Sequence, residues 1–135
     1  DAFIKDVKHS KTRVIIESPF ITTKRINQLN PIIRRLISRG VAVVINTKPV
    51  EEHNTLLSNM AYSGIAILQD IGVKVIVTAG HHRKLAVIDD DIIWEGSLNI
   101  LSQNDSCEIM RRICSKQMTS QMLRFLNLDR FYTIK

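Results

Sequence analysis

Aromatic side chains are scarce in this chain: one tryptophan, two tyrosines and four phenylalanines among 135 residues. That scarcity argues against a platform on which successive bases stack, the device of many single-strand-binding proteins. Cysteine is scarcer still. Cys107 and Cys114 stand seven apart, which is not a C-x-x-C metal or redox pattern, and on one strand they face opposite ways. The expectation is two reduced structural thiols in a cytoplasmic protein. No His/Cys/Asp/Glu cluster has zinc spacing, so neither a metal nor a cofactor is expected. No apolar run approaches the ~18 residues of a membrane span, and no signal peptide is evident, so a membrane is not an expected partner. The chain opens Asp1-Ala2-Phe3-Ile4, without methionine, which suggests a domain cut from a longer protein.

What is present is an ordinary globular balance. Hydrophobic residues make up 44%, enough in a chain this long for one domain, 1–135, with a real core. Nineteen Lys and Arg outweigh thirteen Asp and Glu, for a net charge of +6. A basic soluble domain favours a polyanionic partner, most often nucleic acid.

Apolar runs alternate with helical patterns. Residues 2–9 read as a helix. Arg13 to Glu17 reads as a buried strand ended by Ser18-Pro19. Asn30-Pro31 reads as a helix start, Asn as N-cap and Pro at the first position. Ile32, Ile33, Leu36 and Ile37 form its apolar stripe and Gly40 ends it. Arg34, Arg35 and Arg39 fall on its exposed side. A strand over 41–46, a helix over 51–71 stopped by Gly72, and a strand over 74–78 follow. Residues 84–88 and 92–95 form a hairpin across Asp89-Asp90-Asp91. A strand at 108–113 and a helix at 116–128 close the chain. This order predicts an α/β fold, a mixed β-sheet sandwiched by helices, its first strands parallel and its last a meander. No internal repeat or low-complexity segment appears.

The chemistry concentrates in His82-Arg83-Lys84-Leu85-Ala86-Val87-Ile88-Asp89, followed by Gly96-Ser97-Leu98-Asn99 and then Glu108. Side chains on a strand alternate faces, so His82 and Lys84 point the same way. Ser97 and Asn99 do too if their segment is extended. A possible nucleophile then lies beside a cation and a hydroxyl–amide pair, a phosphate-handling arrangement without metal ligands. Imidazole can attack phosphorus, and it titrates near working pH, so it can also act as an acid. One histidine cannot do both on opposite faces of the phosphorus at once. Arg83, Arg111 and Arg112 flank these residues and are candidate substrate contacts. Asp89 lies an odd number of residues from His82. It faces away from the phosphate and takes a structural hydrogen-bonding role at the turn, though Asp90 and Asp91 compete for that assignment.

This spacing resembles the H-x-K-x4-D motif of the phospholipase D superfamily with its trailing G-S-x-N. The resemblance covers most of the chain and implies a phospholipase D-like half-unit. It implies a catalytic set of His82, Lys84, Asp89, Asn99 and Glu108, with Ser97, Arg83 and Arg111 binding substrate. In the superfamily two H-x-K motifs meet in one site and give a phosphohistidine intermediate. This chain has one complete motif, so the resemblance implies a homodimer whose two copies converge on a two-fold axis. Glu108 matches the position that accepts the imidazole's other N–H and fixes its tautomer. The relatives it most resembles are compact bacterial endonucleases and nuclease domains appended to helicase or ATPase modules.

Other candidates carry less. His9-Ser10-Lys11 repeats the H-x-K spacing, but Ile16 stands in the aspartate's place and no G-S-x-N follows. His81 fails the spacing, since Arg83 would take the lysine's place. His53 sits at an expected helix start beside Glu51 and Glu52, exposed. Trp94 reads as packing. Phe20 could line the mouth of the site or the core. The leading function is therefore a metal-independent nuclease acting on nucleic acid, DNA favoured over RNA. The alternatives are a phospholipid hydrolase or transferase, and a nucleic-acid-binding module without catalysis.

Overall fold

The computed structural model describes residues 2–49, 55–79, 82–97, 100–101 and 110–128, with backbone alone at 55–58, 60 and 61. Within them, six strands form one mixed sheet. β1 (Arg13–Glu17) pairs in parallel with β2 (Ala42–Thr47), and β2 with β3 (Lys74–Val77). On its other side β1 meets β4 (Leu85–Ile88) antiparallel, and β5 (Ile92–Gly96) and β6 (Met110–Cys114) continue the meander. The order is β3-β2-β1-β4-β5-β6, the mixed α/β sheet that the alternation of runs predicts.

Helices cover both faces. α1 (Ala2–Lys8), α2 (Thr23–Ser38) and α3 (Thr55–Asp70) take one side and α4 (Lys116–Leu126) the other. The period-2 alternation divides the core accordingly. Val14, Ile16, Val43, Ile45, Ala86 and Ile88 pack with Phe3, Ile26, Leu29, Ile33 and Leu68. Ile15, Val44, Ile76, Leu85 and Val87 pack with Leu126 and Leu128. Two covered faces explain why β1, β2 and β4 are nearly unbroken Val, Ile and Leu. Each such side chain contributes about 1.5–3 kcal/mol on burial. A one-residue slip would exchange the two faces, so the packing of each side holds the register.

The second helix starts earlier than the sequence suggests. Thr22, not Asn30, is its N-cap, its hydroxyl accepting from the Arg25 amide at 3.3 Å, and Pro31 lies inside the helix. Ile26, Leu29, Ile33 and Leu36 are all buried at helical spacing. That continuous apolar stripe outweighs the hydrogen bond that proline removes. Asn30 instead accepts from Arg34 Nε at 2.6 Å on the outer face. Arg34, Arg35 and Arg39 are exposed.

Gly40 and Gly72 close α2 and α3 with φ of 84° and 100°. The amides of Val41 and Val73 then donate back to the carbonyls of Leu36 and Leu68, each at 3.0 Å. Both turns need a residue free of Cβ strain in the left-handed region. The last strand runs Met110–Cys114, one residue past its expected end at 113; residues 108 and 109, and the expected start of the third helix at 51, lie outside the described residues. Among the described residues no helix is long and apolar enough to cross a membrane.

Candidate active site

β1, β2 and β3 end together, at Glu17, Thr47 and Val77. β4 runs against β1 with Leu85 opposite Glu17, so His82-Arg83-Lys84 emerge at this same edge. Open α/β sheets hold their ligands outside the carboxyl ends of parallel strands. The Gly96 amide donates to the Lys84 carbonyl at 3.2 Å, which keeps the end of β5 alongside and brings Ser97 to the same edge. His82 and Ser97 are exposed; Lys84 is half-buried, its Nζ donating to the His82 carbonyl at 3.2 Å.

The chain bends at Ser97, so the extended run that would put Ser97 and Asn99 on one face is broken there. The cause lies just beyond. Ile100 and Leu101 are buried, and the segment is tied to the turn after β1. The Leu101 amide donates to Ser18 Oγ at 3.3 Å, the Thr22 amide to the Leu101 carbonyl at 2.9 Å, and Arg25 Nε to the Ile100 carbonyl at 2.9 Å.

Arg83 is held differently from its neighbours. Its Nε and Nη2 donate to Glu17 Oε1 at 3.3 and 3.1 Å. Glu17 Oε2 accepts from Asn46 Nδ2 at 2.9 Å, and Asn46 Oδ1 from Thr78 Oγ1 at 2.9 Å. Glu17 and Asn46 are fully buried. This polar chain crosses the ends of four neighbouring strands on the α4 side of the sheet. The ladder bond to Gly96 keeps the backbone extended at Lys84. With Arg83 drawn to the α4 side, alternation turns His82 and Lys84 the other way.

Arg83, Lys84, Leu85, Glu95, Gly96 and Arg111 line a cavity of about 430 Å³. Glu95 pairs with Arg111 across β5 and β6, as Glu17 pairs with Arg83. Lys84 borders this cavity with its side chain turned to the other face, and among the described residues it carries no carboxylate. Such a set can hold phosphoryl oxygens by charge-assisted hydrogen bonds. His82 is not among the lining residues; it precedes them at the edge.

Asp89 sits at the far end of β4, in the turn, with φ of 56°. Its carboxylate accepts from the amides of Lys11 (3.0 Å), Thr12 (2.8 Å) and Arg13 (3.3 Å) and from the Thr12 hydroxyl (3.0 Å). Burial pushes its pKa up, but the Thr12, Lys11 and Arg13 amides and the Thr12 hydroxyl outweigh that and hold it below the ordinary carboxylate value. The motif counts Asp89 as catalytic; its geometry makes it a tie between the hairpin and the start of β1. Arg112 also leaves the site. It donates to Asp6 on α1 at 2.7 Å, and Trp94 Nε1 donates to the same carboxylate at 2.8 Å. Trp94 packs edge-on against Phe3, centroids 5.9 Å apart. His9 closes α1, its Nδ1 2.7 Å from the Lys5 carbonyl, at the end of the sheet opposite His82. Phe20 stays at the site's edge, with Lys48 Nζ 4.3 Å from its ring centroid. Asn99, Glu108, His81, His53 and Cys107 lie outside the described residues. Among the described residues no three His, Cys, Asp or Glu side chains gather to hold a metal ion.

Sequence reasoning missed Glu17, Asn46 and Thr78. A signal exists: each is a polar residue that closes an apolar strand, and three parallel strands end alike. It also missed Phe125 on α4, whose ring stands beside Arg83.

Compared with known proteins, residues 3–129 match the family model described as cardiolipin synthase, PLD-like domain. No curated protein matches the chain. Among solved structures, Nuc from Salmonella typhimurium, a phospholipase D family member, superposes with a TM-score of 0.76 at 17% identity, over 96% of this chain and 84% of that one. NucT from Helicobacter pylori superposes with a TM-score of 0.67 at 20% identity, over 93% and 83%. A phosphatidylserine synthase from Haemophilus influenzae Rd KW20 does so with a TM-score of 0.68 at 17% identity, over 95% of this chain but 34% of that one. At these identities the likeness is one of fold.

Proposed function

The chain belongs to the phospholipase D-like domain family, and on that premise we propose that it is a metal-independent phosphodiesterase that cleaves nucleic acid through a phosphohistidine on His82. A neutral His82 imidazole attacks phosphorus, the P–N bond forms, and the bond to the leaving oxygen breaks. A second imidazole protonates that oxygen. Water then attacks the phosphohistidine, gives its proton to the second imidazole, and releases the new phosphate end. Lys84 steadies the charge that develops on the phosphoryl oxygens. Ser97, Asn99, Arg83 and Arg111 add donors, and Glu108 holds the tautomer of His82. The second imidazole is His82 of a second copy, so the working unit is a homodimer. Fusion to helicase or ATPase domains fits a site of this kind.

One observation carries the reading. His82 and Lys84 lie just ahead of β4 at the carboxyl edge of the parallel strands, beside a cavity lined by Arg83, Lys84 and Arg111. The test is cleavage of single- and double-stranded DNA and RNA in excess EDTA. Activity should persist, because the proposed roles fall to His82, Lys84, Ser97 and Asn99. Activity lost on chelation and restored by magnesium would refute the mechanism.

Phosphatidyl transfer is the second reading, favoured by the family's own description. It uses the same phosphoryl chemistry, with the headgroup alcohol of the lipid as leaving group and a second alcohol in place of water as acceptor of the phosphatidyl group. Parallel assays on phosphatidylglycerol vesicles separate the two. Binding of nucleic acid with no cleavage of either substrate would leave a silent binding module.

A further inference from the structure

α4 presents two unlike sides. Met122, Leu123 and Leu126, with Leu128 after them, pack against the sheet. Phe125 stands on the outer flank, 71% exposed. The Arg83 guanidinium lies over its ring, 5.9 Å from the centroid. Arg83 is also a wall of the cavity that Lys84 and Arg111 line. An exposed ring and a cavity lined by cations therefore meet through one side chain. Glu17 holds that side chain from within, so the guanidinium is steady at both the cavity and the ring.

We infer that Phe125 is the stacking surface for one nucleobase of a single-stranded substrate whose neighbouring phosphate sits at Arg83 and Arg111, on the same side of the sheet. The inference rests on the nucleic-acid reading above and narrows it. A base can lie on an aromatic ring only when it has left its own stack, so the fit is to a single strand or a frayed end. The guanidinium over the ring adds a cation–π contact to the stack. Every base has a π face, so one ring selects for unpaired strands without selecting a sequence. A nucleotide carries a base and a phosphate together, and the ring and the cavity adjoin in the same way. A lipid headgroup offers the phosphate but no flat partner for the ring. A single ring also agrees with a chain so poor in aromatics: it serves one base at the reacting site, not a run of bases.

The experiment uses the full chain and two labelled single strands of equal length, one bearing bases and one abasic throughout. Initial fluorescence anisotropy at fixed salt reads affinity whether or not the strand is cut, and the rate of cutting is followed in parallel. Phe125→Ala should weaken binding of the base-bearing strand by about 5- to 150-fold, the usual worth of one stacked base. It should leave the abasic strand unchanged, since the phosphates are the same. Phe125→Trp should restore or exceed wild-type affinity, and Phe125→Leu, apolar but without a π face, should not. Equal weakening on both strands would overturn the inference by making Phe125 a support of the site or of a subunit contact. No change on either strand would overturn it by removing Phe125 from the substrate's path. A wild-type chain that binds the base-bearing strand better through Phe125 yet never cuts would leave the inference standing and refute the nuclease.

Discussion

Glu17 and Arg83 form an ion pair of unequal partners: the carboxylate has 0% exposure, while the guanidinium side chain keeps 38%. The inequality decides what each contributes. If Glu17 is removed, Arg83 can turn toward water. If Arg83 is removed, Glu17 loses its guanidinium, keeps Asn46 as a donor, and remains a buried charge. Arg83→Ala should therefore destabilise the fold more than Glu17→Ala, by about 3–5 kcal/mol against about 1.5–3 kcal/mol. Urea unfolding of the two variants tests this; the reverse order would mean that the pair is not what holds the residues between β1 and β4.

Asp89 should govern acid stability. Its folded pKa lies below its ordinary value, so its contribution is complete above the unfolded pKa of about 3.9 and fades as pH falls through the folded one. Wild type should lose stability below about pH 5, and Asp89→Asn should lose less over the same range. Asp6 is lowered as well, against the upward push of its burial, by bonds from Arg112 and Trp94, so some slope should remain. Urea midpoints across pH 3–7 measure both. At neutral pH and low temperature the kcat of folded Asp89→Asn should stay near wild type. A group in the chemistry would lose about 10²-fold or more.

A covalent adduct is the sharpest test of His82. Rapid denaturation during turnover of a labelled phosphodiester should trap label on His82, stable in alkali and labile in acid. His82→Ala should lose label and cleavage but retain binding, because Lys84 and the surface arginines still supply attraction. Label on Ser97 would reassign the nucleophile.

Subunit mixing tests the shared site. If each site needs two His82 side chains, a dimer of wild type with His82→Ala lacks either nucleophile or acid. After denaturation and remixing, with exchange confirmed by a tagged copy, total activity should rise as the square of the wild-type fraction. A straight line would mean that the single H-x-K works alone or with a motif beyond this stretch of chain.

How far the sequence can be read depends on whether a feature is local. The strands were legible because each is a short apolar run, and the closing glycines because 84° and 100° suit glycine. The early start of α2 was hidden. A proline is a strong local stop signal, while the counterweight, Ile26 and Leu29 against the sheet, exists only once the sheet has formed. In the site, the H-x-K spacing and the odd offset of Asp89 could be read by counting. The bend at Ser97 could not, since it follows from where Ile100 and Leu101 are buried.

The sequence by itself determined the sheet's two-sided core, the family resemblance, and the residue types proposed to handle phosphate. Spacing along one chain carries those facts, because side-chain direction follows backbone period over a few residues. Only the tertiary structure decided which cations carry carboxylates, that Arg112 serves Asp6 instead of the site, and that Phe125 stands over Arg83. Glu17 and Arg83 are 66 residues apart, and their meeting depends on the register of β1 against β4. That register is fixed by the packing of whole faces, a property that no window of neighbouring residues contains.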